Sequence, residues 1–311
     1  MNEILWYLIA FLIFPGFIFA AVFGLLVQWV DRKVTARVQW RVGPPLFQPF
    51  YDLFKLFNKE LLLPPGAKRN GFLLAPILAT TSAALLTTMV GVIFIRPEVH
   101  FVGDVVVMIY LMIIPPLCII WGGFASGNPL SAMGAAREAK LMLAYELPFL
   151  IVIATPFFRA QTLSFGQLLQ YQMSNGSFLS QPSFLLSFVA ALLCLQAKLG
   201  QVPFDIPEAE CEIMEGPLLE YSGPALGLYK TTQAIQIVAL PAFLVGVFWG
   251  GNPMQGWGIL LNLLKYLLII VIVVLIKNTN PRVRIDQAIR FFWGWVTLLA
   301  VAGMILMFLG Y

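Results

Sequence analysis

Residues 257–277, WGILLNLLKYLLIIVIVVLIK, decide the fold class. One lysine, Lys265, interrupts an apolar run that ends at Lys277. About 20 such residues, each rising 1.5 Å in a helix, cross the ~30 Å hydrocarbon layer of a bilayer. Working outward, the same length and character recur at 4–30, 71–95, 104–126, 140–158, 183–202, 226–249 and 289–310. Pro15, Pro76, Pro115 and Pro148 fall inside these blocks, which transmembrane helices tolerate. The composition agrees: 60% of the 311 residues are hydrophobic and 11% charged, far below the roughly 25% of soluble domains. One soluble core could not hide that apolar surface. The expectation is an all-α, polytopic membrane helical bundle of about eight transmembrane helices, forming one membrane domain over 1–311. No low-complexity linker divides it, and no internal repeat is visible by eye, which disfavours inverted-repeat transporters. The first block follows Asn2 and Glu3, without a basic n-region or small-residue cleavage site, and reads as a retained helix.

Orientation follows from the basic residues. Sixteen of nineteen lie in alternate connections, within 31–70, 127–140, 198–230 and 277–290. Only Arg96 and Arg159 belong to the other side. Both termini are therefore expected outside, with the long loops cytoplasmic. Arg32, Arg37, Arg41, Arg282 and Arg284 are the candidate docking groups for a partner protein, and nucleic acid has little support.

Residues 46–60, LFQPFYDLFKLFNKE, are too polar to span. At 100° per residue Leu46, Phe47, Phe50, Leu53, Phe54 and Phe57 share one arc, opposite Gln48, Asp52, Lys55 and Lys59. This predicts an amphipathic helix along the cytoplasmic interface, as a brace or as a docking ledge.

The chemistry concentrates in residues 201–221, QVPFDIPEAECEIMEGPLLEY. Asp205, Glu208, Glu210, Glu212, Glu215 and Glu220 are six of fifteen acidic residues in the chain, and no base stands among them. Pro203 and Pro207 prevent a simple helical start. A solvated acidic loop is one reading. Against it stand the interleaved apolar residues, the adjoining spans and a sign opposed to the surrounding positive loops. The favoured reading is a loop folded into a protein-lined cavity, where like charge and desolvation raise carboxyl pKa values and the acids titrate as a group. Glu146 lies inside the fourth span, where an ionisable group needs a partner or a function. Glu138 joins the ion-path candidates, though its neighbours Arg137 and Lys140 allow a surface ion pair. Lys265 is a further candidate, with snorkelling the equal alternative. Three scattered cysteines and one histidine supply no metal or iron–sulfur ligand set. No phosphate-binding glycine loop is present. No catalytic residue, metal or cofactor is assigned to this chain.

Beyond these readings, VPFDIPEAE (202–210) and LLEYSG (218–223) resemble the signature of the complex I membrane subunit called NADH dehydrogenase subunit 1, or the H subunit. DRKVTARVQWRVGPP (31–45), QPFYDLFKLFNKE (48–60), YELP (145–148) and NPRVRIDQAIR (280–290) agree with that family in order and spacing. The resemblance implies a subunit at the junction of membrane and peripheral arms, with acids lining a proton path toward antiporter-like membrane subunits. Asp205, Glu208, Glu210, Glu215, Glu220 and Glu146 match the acidic positions of the family, and Glu212 shares their loop. Three features depart from the respiratory wording: Gly43-Pro44-Pro45-Leu46, Glu138 within GNPLSAMGAAREAK, and EIMEGPLLEYSG. They look more like the homologous subunit of energy-converting, membrane-bound nickel–iron hydrogenases and their sulfur-reducing relatives.

The resemblance thus implies a non-catalytic ion-path and docking subunit of a redox-driven, ion-pumping oxidoreductase. Iron–sulfur clusters, and a nickel–iron centre in the hydrogenase branch, would lie in peripheral hydrogenase-like partners. The runner-up is the quinone-site subunit of a respiratory NADH–quinone oxidoreductase, whose partners are quinone-reductase-like. A stand-alone secondary transporter is the alternative from another class.

Overall fold

Counting the broken first span as one, the computed structural model has, among its described residues, seven helices long and apolar enough to cross a membrane; Pro182–Lys198, at 17 residues, is shorter. The structure describes residues 3–208, 210–250 and 256–310, with the side chains at 3, 4, 210 and 211 outside that description. In chain order the helices are α1 (Glu3–Leu12), α2 (Phe17–Val38), α3 (Gln48–Phe57), α4 (Arg69–Ile95), α5 (Asp104–Ala125), α6 (Pro129–Ala160) and α7 (Phe165–Asn175). There follow α8 (Pro182–Lys198), α9 (Glu210–Ile213), α10 (Gly223–Trp249), α11 (Trp257–Thr279), α12 (Ile285–Phe291) and α13 (Thr297–Phe308). A π-helical turn, Phe292–Val296, joins the last two.

The expected bundle is present, with seven spans, the shorter apolar α8 and the amphipathic α3 beside them. Packing sorts the spans. α10 is buried on every side, as a helix apolar all round should be. α4 and α2 flank it, and Gly24 of α2 lets the two backbones close: a Cβ there would sit 1.9 Å from the carbonyl oxygen of Ala234. α11 and the last span leave most of their apolar surface exposed, as lipid-facing helices do.

Several boundaries differ from those expected. The first span is broken at 13–16, where Pro15 offers no backbone N–H. It then continues to Val38, so Arg32, Lys33 and Arg37 are helical rather than loop residues. α6 starts at Pro129, not 140, because the Asn128 side chain accepts from the Leu130 N–H (2.8 Å) and Pro129 fits the first helical position. This makes Arg137, Glu138 and Lys140 helical. α8 stops at Lys198 instead of 202, ahead of Gly200 in the left-handed region (φ 60°).

α3 packs against α10 and α2, and its apolar arc divides. Phe50 and Leu53 are half-buried in protein, while Phe47, Phe54 and Phe57, with Tyr51, remain exposed. α7, at the end of the bundle away from the basic loops, was not expected. Its buried Gln172 donates to the carbonyls of Gly246 (2.8 Å) and Val247 (3.2 Å) near the end of α10. Asp104, buried at the start of α5, accepts from the Phe165 N–H (2.6 Å) and the Ser164 hydroxyl (3.3 Å), fixing the start of α7.

Candidate functional site

The acidic segment folds back into the end of the bundle that carries the basic loops. Gln196 of α8 donates to the Val202 carbonyl (2.6 Å), and the Val283 N–H donates to the Pro203 carbonyl (3.2 Å). Phe204 is buried against Phe291 and Phe292. Gly216 has φ 56°, and a Cβ there would stand 1.9 Å from the Pro207 carbonyl oxygen, so only glycine permits this closure. At the far end Tyr221 stacks on Phe72, centroids 4.0 Å apart, and donates to the Phe72 carbonyl (3.0 Å). Burial pushes its phenol up to about 12, so it stays protonated.

Within this frame the acids separate. The Asp205 carboxylate, 12% exposed, pairs with Arg282 at 2.6 Å through Oδ2, while its buried Oδ1 has no hydrogen-bond partner among the described residues. Glu208 is half-buried and accepts from Gln233 of α10 (3.3 Å). Burial, reinforced by Asp205 and Glu215, holds the Glu208 carboxyl above the usual carboxylate range, although Lys230 and the Gln233 hydrogen bond oppose it. Glu220 accepts from the Asn128 side chain (2.5 Å). Glu212 is exposed and pairs with Arg137 (2.6 Å), and Glu215 is exposed. The side chain of Glu210 lies outside the described residues.

Two adjoining cavities organise what remains. The larger, about 330 Å³, is lined by Asp31 and Arg32 of α2, Asp205, Glu208, Lys230, Lys277 and Arg282. The smaller, about 40 Å³, shares Asp205 and Glu208 with it and adds Glu138 of α6 and Lys198 of α8. Lys198, 3% exposed, extends the series into the bundle. Its ammonium pairs with Glu146 at 2.7 Å and lies over the rings of Phe149 (4.4 Å) and Tyr145 (5.1 Å). Glu146 Oε1 is buried without a hydrogen-bond partner among the described residues. Each group from Asp31 to Glu146 therefore borders the same or the next cavity, or is paired to one that does.

Other candidates stand elsewhere. Lys265 donates to the Trp249 carbonyl (2.7 Å) at the end of α10, apart from the acidic cluster. Arg37, Arg41 and Arg284 are exposed at the basic-loop end, and Arg32 pairs with Asp52 of α3 (2.9 Å). Arg282, a docking candidate by sequence, faces the cluster instead. Sequence reasoning missed Lys198, Lys230, Asp31 and Lys277 as members of the site. The last two pair at 2.9 Å. A local signal existed for Lys198 alone, as the base directly preceding the acidic segment. Among the described residues, no three His, Cys, Asp or Glu side chains group closely enough to hold a metal ion.

A polytopic helical protein whose acids and bases line adjoining cavities at one end of its bundle is the class that fold and site define. The family model described as NADH dehydrogenase matches residues 9–308, and the chain belongs to that family, the complex I membrane subunits. It is 31% identical over 312 residues to the H subunit of NADH-quinone oxidoreductase from Syntrophotalea carbinolica, covering 94% of this chain and 93% of that one. It is 30% identical to the subunit of the same name from Dehalococcoides mccartyi, covering 96% and 85%. Among solved structures it resembles one component of the membrane-bound sulfane sulfur reductase, an archaeal respiratory membrane complex. That match has a TM-score of 0.85 and 29% identity, over 96% of this chain and 99% of that one.

Proposed function

We propose that this chain is the ion-path and docking subunit of a redox-driven, ion-pumping oxidoreductase of the ferredoxin-linked hydrogenase or sulfur-reducing type. The observation that carries the reading is the pair of cavities sharing Asp205 and Glu208. They join a mixed-charge chamber at the basic-loop end to Glu138 and to the buried Lys198–Glu146 pair. In this reading the basic-loop end faces the cytoplasm and receives peripheral hydrogenase-like subunits on Arg37, Arg41 and Arg284. Those partners hold the iron–sulfur clusters, and antiporter-like membrane subunits continue the path. A charge change above the chamber alters the affinity of Glu208 for a proton. Glu138 and the Lys198–Glu146 pair pass the displaced charge inward, because acids lining one cavity do not ionise independently. Glu138 and Gly43-Pro44-Pro45-Leu46 are the features that support this branch over a quinone-reducing one, and the fold is shared with the sulfane sulfur reductase component.

The test uses the complete complex in sealed vesicles. Glu208→Gln and Glu146→Gln keep side-chain shape and remove an ionisable carboxyl, the second at a cost in stability because Lys198 loses its partner. The expected outcome is an assembled complex that still transfers electrons but moves fewer ions per electron. Unchanged stoichiometry in both variants would refute the ion path. Sulfane sulfur or proton reduction without quinone is the expected acceptor behaviour, and strict dependence on added quinone would move the chain to the respiratory branch.

A further inference from the structure

A third cavity in the same end of the molecule has no part in the ion path. It measures about 490 Å³ and lies between α8, α11 and α12, on the outer side of the acidic segment. Its walls are apolar: Leu193, Phe204, Ile276, Phe291 and Trp295. Its rim is polar, formed by Asn280, Gln287 and Arg290. No ion pair or hydrogen bond engages the exposed Arg290 guanidinium among the described residues. The wall below it includes part of the π turn 292–296, which the Thr297 hydroxyl stabilises by donating to the Phe292 carbonyl (2.7 Å). Trp293 and Trp295, 59% and 71% exposed, mark this level as the membrane interface, where tryptophan concentrates. A single cation above an apolar cleft, at interfacial depth, suits an amphiphile with an anionic head.

We propose that this groove binds an anionic phospholipid, with its phosphate on Arg290 and the Asn280 and Gln287 amides and one chain along Phe204, Ile276 and Trp295. Basic pockets between transmembrane helices at this face recognise such headgroups. Phe204 makes the site consequential: it walls the lipid groove, and the next residue, Asp205, lines both ion-path cavities. An occupied groove braces the acidic segment from behind. Lipid binding itself does not depend on the ion-path reading.

The test is native mass spectrometry of the intact complex, delipidated in mild detergent and titrated with phosphatidylglycerol or phosphatidylcholine. The parent is expected to retain phosphatidylglycerol in preference, and Arg290→Gln to reduce that preference about fivefold, the effect of one basic residue near a lipid surface. Arg159→Gln, at the opposite end of the bundle, is the control and should leave it unchanged. Ile276→Trp fills the cleft and should reduce retention of both lipids. If that variant fails to assemble, Arg290→Gln decides alone, since an exposed side chain tolerates the change. Equal retention of the two lipids by the parent would overturn the proposal. So would unaltered phosphatidylglycerol preference in Arg290→Gln, or a groove filled by a partner helix or a quinone in the purified complex.

Discussion

Lys198 and Glu146 show how much one buried contact changes the reading of a residue. From sequence, Glu146 is an acid stranded in an apolar span, and Lys198 merely adds to the count of basic residues on one side. In the fold each accounts for the other: a 2.7 Å ion pair with 3% and 15% of the side chains exposed. Removing one partner of such a pair leaves an uncompensated buried charge at a cost of about 3–5 kcal/mol, whereas replacing both by apolar residues is often neutral. Lys198→Met should therefore lower the melting temperature of the detergent-solubilised complex sharply, and Lys198→Met with Glu146→Leu should recover most of the loss. Equal destabilisation by the single and double variants would show that the pair carries no such coupling. Glu208 behaves differently, because burial raises its carboxyl above the usual range. A group whose folded pKa is raised stabilises the folded state fully below its unfolded value, and that contribution is lost as pH rises through the folded one. Thermal melts of the parent should weaken across that interval. Glu208→Gln, which cannot ionise, should flatten the same stretch of the profile.

α7 illustrates an element held by polar contacts rather than by propensity. Asp104 of α5 accepts from the Phe165 N–H and the Ser164 hydroxyl, and Gln172 covers the carbonyls near the end of α10. Asp104→Ala would strand two buried donors, each worth about 1–3 kcal/mol when left unsatisfied. Amide exchange across 165–175 should accelerate in Asp104→Ala and much less in Asp104→Asn, which keeps an acceptor oxygen. Similar exchange in both variants would assign the anchoring to Gln172. This helix was not legible in the sequence, because 11 residues with a polar face resemble a loop beside spans of 20 or more. The spans were legible because the bilayer imposes their length. The start of α6 was written in Asn128-Pro129, but the apolar block beginning at 140 outweighed it. Asp205 and Glu208 stood out because the acids lie in one contiguous segment, but that clustering could not separate them from Glu212 and Glu215, which are exposed. The cavity partners Asp31, Lys198 and Lys277 come from three separate helices, and only tertiary packing brings these together.

At the scale of the whole molecule the charges and cavities make one directional argument. Sixteen of nineteen basic residues fall within 31–70, 127–140, 198–230 and 277–290, in loops or the helix segments beside them, and the chamber lined by Asp31, Lys230, Lys277 and Arg282 lies at that same end. Basic residues remain on the cytoplasmic side during insertion, so the chamber should open to the cytoplasm. Single cysteines report this directly. Cys118 and Cys194 are buried, and the labelling background would carry Cys211→Ser. Asn175→Cys, at the exposed end of α7, should react with an impermeant maleimide in intact cells. Asn58→Cys, at the exposed end of α3, should react only after permeabilisation. Both positions are exposed at the ends of helices too short to span, so reactivity should read sidedness rather than depth. The reverse pattern would place the chamber outside, where no cytoplasmic redox partner could reach Arg37, Arg41 or Arg284. The docking half of the proposed function would then fall while the fold stood unchanged.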